Sequence, residues 1–278
     1  MKSPSIAFIA CFLLMCNAAG IEAKTREIEM LSWNEVNSLL PRYSTFTVED
    51  FETGAKFRVQ RRAGGRHADV QPVTAKDTKI MKRIYNGKWS WKRRAIIVRS
   101  KNFAIAASMH GMPHGAGALK NNFPGHFCIH FYGSTTHRSS KMDLSHQLMI
   151  LKSAGKLEKF LEEADVSELV DAYFAGIKQQ DPHIVSLISA QQLNWKKALP
   201  LVENIRPGKL DPSSFEDAGA SLVLNVPVEV NMQLKGTGRA NFEGELMLIR
   251  FSPAEQWQVN SVKFFEEAVL SKKQEKKA

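Results

Sequence analysis

Residues 125–132 read Gly125-His126-Phe127-Cys128-Ile129-His130-Phe131-Tyr132. Apolar and polar side chains alternate with a period of two, the mark of a strand whose neighbours point to opposite faces. Phe127, Ile129 and Phe131 share one face, which must pack on a core. His126, Cys128, His130 and Tyr132 share the other. Burying such polar side chains without partners is costly, so this second face is expected to line a cleft, with the Cys128 sulfur exposed on an imidazole-lined wall.

Upstream, His110-Gly111 opens a loop rich in Gly and His that contains His114 and runs to Pro124. Six of the eight histidines fall between 110 and 146: His110, His114, His126, His130, His137 and His146. His137 and His146 are read as structural or surface groups, and His183 as incidental. His67 and Asp69 share a face if their segment is extended. Asp69 could then orient a histidine, as the third member of a catalytic set does. The blander reading, slightly favoured, is a turn-stabilising residue after Gly64-Gly65.

The flanking chain supplies a β-rich frame over 30–155. A helix is expected over Ser32–Leu40, with Ser32 and Glu35 spaced as a capping box. Thr45–Asp50 and Lys56–Gln60 read as a hairpin. Thr74 caps a helix to about Tyr85. Arg94–Arg99 and Phe103–Ser108 form a second β pair, and a helix from about Asp143 stops at Gly155.

Beyond Gly155 the pattern changes. Lys156–Ala164, Val166–Gln179 and Pro182–Leu193 read as helices, and Ile205–Ala220 as a connector. Ser221–Asn231, Asn241–Phe251 and Gln256–Phe265 read as strands, with Pro227 marking a sheet edge. Helices followed by an antiparallel sheet give an α+β class. Residues 166–270 resemble the cystatin-like or nuclear-transport-factor-like cone folds. Residues 271–278 form a charged tail.

Composition narrows the partners. The formal charge of +10 favours an anionic polymer. Residues 1–23 read as a secretory signal peptide: Lys2, an apolar run Ile6–Met15, then small residues to Ala23. No later stretch holds ~18 consecutive apolar residues, so no membrane span is expected in the mature chain. Export makes nucleic acid an unexpected partner. Cys11 and Cys16 lie in the leader, where lipidation is a minor option, and Cys128 alone remains. A leftover thiol in a secreted protein is a candidate reactive group. Beside imidazole it becomes a nucleophile, with no cofactor required. The plainer alternative is an inert small hydrophobe.

The segment His110-Gly111, a Gly-rich spacer, then Gly125-His126-Phe127-Cys128 resembles the catalytic signature of the L,D-transpeptidases, cell-wall enzymes with a β-rich catalytic domain. That resemblance implies Cys128 as nucleophile, His110 as general base and Gly111 supporting the base through its backbone. It also implies an oxyanion hole from the N–H groups of His126, Phe127 and Cys128, and His126 as the second catalytic histidine of the motif. Apart from the resemblance, His114, His130, His67 and Asp69 are read as residues lining the site. Three positions depart from the family pattern: Gly125 replaces Ser/Thr, Phe127 replaces Gly, and His130 replaces Asn/Arg.

The leading expectation is a secreted, wall-associated cysteine acyl transferase or hydrolase acting on peptidoglycan stem peptides. Two alternatives stand beside it. One is a metal site built from His110, His126, Cys128, His130 and perhaps His67, serving storage or metal-assisted hydrolysis. The other is a non-catalytic wall-binding module.

Overall fold

The computed structural model describes residues 27–136 and 141–272. The leader read over 1–23, His137 and the end of the charged tail lie outside the described residues. The chain is mixed α+β, built on two sheets: a closed six-stranded barrel and a four-stranded antiparallel sheet.

The barrel comprises β1 (Thr45–Asp50), β2 (Lys56–Ala63), β3 (Ala68–Pro72), β4 (Arg93–Arg99), β5 (Ala104–His110) and β6 (Phe127–His130). The spatial order is β1-β2-β3-β6-β5-β4, and β1 pairs with β4 to close it. Closure leaves no free strand edge. Alternate residues fill the interior: Phe46 and Val48, Phe57 and Val59, Ala68 and Val70, Ile96 and Val98, Ile105 and Met109, Phe127 and Ile129. Helix α1 (Trp33–Leu39) starts with the capping box of Ser32 and Glu35 and adds Trp33 and Val36 to this core. Helix α2 (Ala75–Ile84) starts with a second box, Thr74 and Asp77, and adds Met81 and Ile84.

Helix α3 (Leu144–Ser153) packs on the outside of β4 and β5. Its apolar side chains Leu148, Met149 and Leu151 belong to the second core, shared with α4 (Leu157–Glu163), α5 (Val166–Gln179), α6 (Pro182–Ile188) and α7 (Trp195–Ala198). The second sheet, β10-β9-β8-β7, follows: β7 (Val202–Pro207), β8 (Val223–Leu234), β9 (Gly238–Ile249) and β10 (Gln258–Val259).

Three expectations for this half are corrected. Residues 205–207 belong to β7 rather than to a connector, because they pair with β8 from Met232 to Val230. Strand β8 is internal to its sheet, not an edge. Pro227 is tolerated because β7 reaches only to Val230, so at Pro227 the ladder is with Glu245 of β9 alone. Finally, most of 256–265 is not strand. After the two residues of β10, Asn260 caps α8 (Ser261–Phe264), which runs into a π-helical turn over Phe265–Leu270.

Candidate functional site

Because Phe127 and Ile129 face into the barrel, Cys128 and His130 face out. The same alternation turns Asp69 of β3 and Ser108 and His110 of β5 to the outer surface, since Ala68, Val70, Ile105, Ala107 and Met109 fill the interior. Register then places the polar side chains side by side: Asp69 opposite Cys128, and Ser108 opposite His130. The outer wall is covered by α3 and by the loop of residues 111–126.

That loop is held close by its own chemistry. Gln71 donates to the Gly125 carbonyl at 2.7 Å and accepts from the Ala118 amide at 2.9 Å. His114 and His126 exchange backbone hydrogen bonds at 3.0 and 2.9 Å. Gly125 sits at φ +114, and a Cβ there would come 2.5 Å from the His114 carbonyl oxygen. A Cβ on Gly115 would come 2.4 Å from the His126 ring. Glycine is needed at both places for the loop to lie against the strand.

The result is a cluster around one sulfur. His114 Nε2 is 3.4 Å from Cys128 Sγ, and Asp69 Oδ1 is 3.5 Å from it. His67 Nε2 is 3.2 Å from Asp69 Oδ1, and His126 Nε2 is 3.9 Å from the same oxygen. The other ring nitrogens face backbone carbonyls: His67 Nδ1 meets Thr135 at 2.9 Å, His114 Nδ1 meets Met112 at 3.2 Å, and His126 Nδ1 meets Ala116 at 3.0 Å. A carbonyl only accepts, so each Nδ1 carries the proton and each Nε2 is turned toward the Cys128–Asp69 centre. Beside it, His67, His130 and His146 stack in a column, with ring centroids 4.5 and 3.8 Å apart. His146 Nδ1 lies 2.9 Å from Ser108 Oγ.

Burial sets the charge of the cluster. It pushes the Cys128 thiol well above its ordinary range, and the Asp69 charge and hydrogen bond add to this. It holds His110 and His146 well below the usual histidine value. Arg93 is the next contributor at His110, and His130 at His146. The resting thiol is therefore protonated, and those two imidazoles are neutral.

Several site expectations change. Cys128 is only 4% exposed, not open to solvent, because the loop and the histidines lie over it. It is nevertheless walled by imidazoles and a carboxylate rather than by aliphatic groups. The imidazole in hydrogen-bond contact with the sulfur is His114, whereas His110 brings a ring nitrogen within 4.8 Å of both. The His126 N–H donates to the His114 carbonyl, and the Gly111 N–H donates to Ser90 at 2.8 Å, so neither is free for an oxyanion. Phe127 and Cys128 lie in the ladder opposite Val70 and Asp69. Phe127 fills the barrel against Phe57 and Phe123, which explains a large side chain where the resembled motif has glycine. Asp69 lies within strand β3, paired opposite Cys128, and is part of the cluster rather than the turn-stabilising residue expected.

Two members were not assigned to the site from the sequence. His146 is buried against His130 from α3, brought there by helix packing with no local signal. Trp91, 51% exposed, stands over His110 and His114 with ring centroids 4.7 and 5.5 Å away. In the sequence Trp89-Ser90-Trp91 precedes Lys92-Arg93-Arg94, a run that reads either as a binder of an anionic polymer or sugar or as a solvated loop with packed tryptophans. His183 is exposed on α6. No described helix is long and apolar enough to cross a membrane. Comparisons with family models, curated proteins and solved structures returned no match.

Proposed function

We propose that this chain is a secreted cysteine-dependent acyl transferase or hydrolase acting on peptidoglycan stem peptides, with the barrel as an L,D-transpeptidase-like catalytic domain. The observation that carries this reading is the Cys128–His114 pair. The base has its Nδ1–H anchored on the Met112 carbonyl and its Nε2 lone pair 3.4 Å from the sulfur. This is the nucleophile–base–orienter arrangement, with a backbone oxygen as orienter.

In the forward step Cys128 Sγ attacks the donor carbonyl as His114 Nε2 takes its proton. The tetrahedral intermediate collapses to a thioester, and the imidazolium returns the proton to the leaving amine. An acceptor amine or water then attacks the thioester, again through His114. Because burial holds the thiol protonated, proton transfer accompanies attack rather than preceding it. His114 and His126 are the half-buried members that meet solvent, and Trp91 forms the rim. The net positive charge suits an anionic wall polymer. The C-terminal unit is read as a cystatin- or nuclear-transport-factor-like accessory domain for docking.

The test is covalent trapping. The mature chain, incubated with a carbapenem, is expected to gain one adduct by intact mass, and Cys128→Ala to gain none. Absence of an adduct, together with unchanged muropeptide digests, overturns the reading.

A further inference from the structure

The contacts of His67 aim one ring nitrogen at a carboxylate. Its Nδ1 faces the Thr135 carbonyl at 2.9 Å, and its Nε2 faces Asp69 Oδ1 at 3.2 Å. The same oxygen lies 3.5 Å from Cys128 Sγ. Ring nitrogens of His67 and His130 and the sulfur all lie within 4.8 Å of one another, and all three residues are buried. A backbone carbonyl that fixes the ring of a ligating histidine is the usual outer support of a metal site.

We propose that His67, Cys128 and His130, with Asp69 as fourth donor, form a binding site for a divalent ion of the zinc type, and that the ion caps the nucleophile. One sulfur, two imidazole nitrogens and one carboxylate oxygen are the donor types such an ion takes in tetrahedral sites. The donors stand farther apart than direct coordination requires, so binding draws them inward. A second triad, His110, His114 and Cys128, shares the sulfur on its more open side. The buried triad is the one assigned, because two of its members, His67 and Cys128, touch the Asp69 carboxylate that balances the ion's charge, so Asp69 completes a four-donor set there. Binding converts the Cys128 S–H to a metal-bound thiolate and releases one proton to solvent, with no change of oxidation state. A thiolate held by the metal no longer attacks a carbonyl, so the ion acts as a reversible inhibitor. The inhibitory role rests on the acyl-transfer reading, whereas the site itself does not.

The test uses the whole chain, reduced and freed of metal by a chelator, then titrated with zinc alone and with cobalt(II) alone. The expected result is one zinc per chain, one proton released, and a sulfur-to-cobalt charge-transfer band. Cys128→Ser is expected to abolish the band. His67→Gln and Asp69→Asn are expected to weaken zinc by at least about tenfold. His114→Ala is expected to leave stoichiometry and band unchanged. Should buried variants fail to fold, the wild-type chain alone decides: zinc must protect Cys128 from alkylation, and X-ray absorption must report one sulfur and two nitrogen neighbours. No stoichiometric zinc, zinc retained by Cys128→Ser, or dependence on His114 in place of His67 overturns the site. A carbapenem adduct without zinc binding sinks only the metal site. Zinc binding without an adduct in the metal-free chain sinks only the acyl-transfer reading.

Discussion

His114 Nε2 faces Cys128 Sγ at 3.4 Å while its opposite nitrogen holds the Met112 carbonyl. The pair is separated by fourteen positions and joined by the fold of the glycine loop. His114→Ala is expected to slow acylation of metal-free Cys128 by about 10²–10⁴-fold, the usual worth of a positioned base. His110→Ala is expected to cost less, because its ring is outside hydrogen-bond contact with the sulfur. Intact-mass time courses with a carbapenem separate the two.

Gly125 is where the loop presses on the strand. A Cβ there meets the His114 carbonyl, and its φ of +114 is strained for any L side chain. Gly125→Ala is expected to displace His114 and to lower the alkylation or acylation rate of Cys128 by at least about tenfold. The barrel should remain folded, so unchanged far-ultraviolet circular dichroism with a reduced rate is the expected pairing.

Phe127→Gly would restore the glycine of the resembled motif. Phe127 is fully buried in the barrel, and emptying such a site costs about 3–5 kcal/mol even for Ala, with a further ~1 kcal/mol for glycine in a strand. Urea unfolding is expected to show that loss, and no gain in acylation rate should accompany it.

The buried groups give the metal-free chain a stability plateau with two shoulders. His110 and His146 are held below their ordinary value of 6.5, so below that pH the unfolded chain binds more protons than the folded one. Stability then falls with acid, by about 1.4 kcal/mol per pH unit for each histidine. The thiol is raised above its ordinary 9.0, so above that pH the folded chain keeps a proton the unfolded chain loses. Stability falls again with alkali, by about 1.4 kcal/mol per unit. Urea midpoints across this range check both shoulders. Cys128→Ser should remove the alkaline contribution of the thiol.

Lys152 of α3 joins the two halves of the chain. Its Nζ lies 2.6 Å from Asp181 and 2.9 Å from Glu52, with Lys152 and Asp181 both buried. Lys152→Met leaves Asp181 uncompensated and is expected to cost about 3–5 kcal/mol. Asp181→Asn is expected to cost less, because Asn can still cap α6 at His183 and Ile184 and Lys152 keeps Glu52. Calorimetric melting of the two variants tests the order.

Local pattern alone determined much of this protein. The capping boxes at Ser32 and Thr74, the β1–β2 hairpin and the two-residue alternation of 125–132 depend on near neighbours, so they are readable in order along the chain. That alternation already placed Cys128 and His130 on a face opposite Phe127 and Ile129. What tertiary structure decided is everything that depends on which distant segments meet. The pairing of β3 with β6 put Asp69 beside Cys128, the packing of α3 brought in His146, and the fold of the loop chose His114 over His110. The end of β10 likewise went to helix, since Asn260 offered a cap that periodicity did not weigh. Contacts between residues far apart in sequence are set by register and core volume, which no single segment encodes.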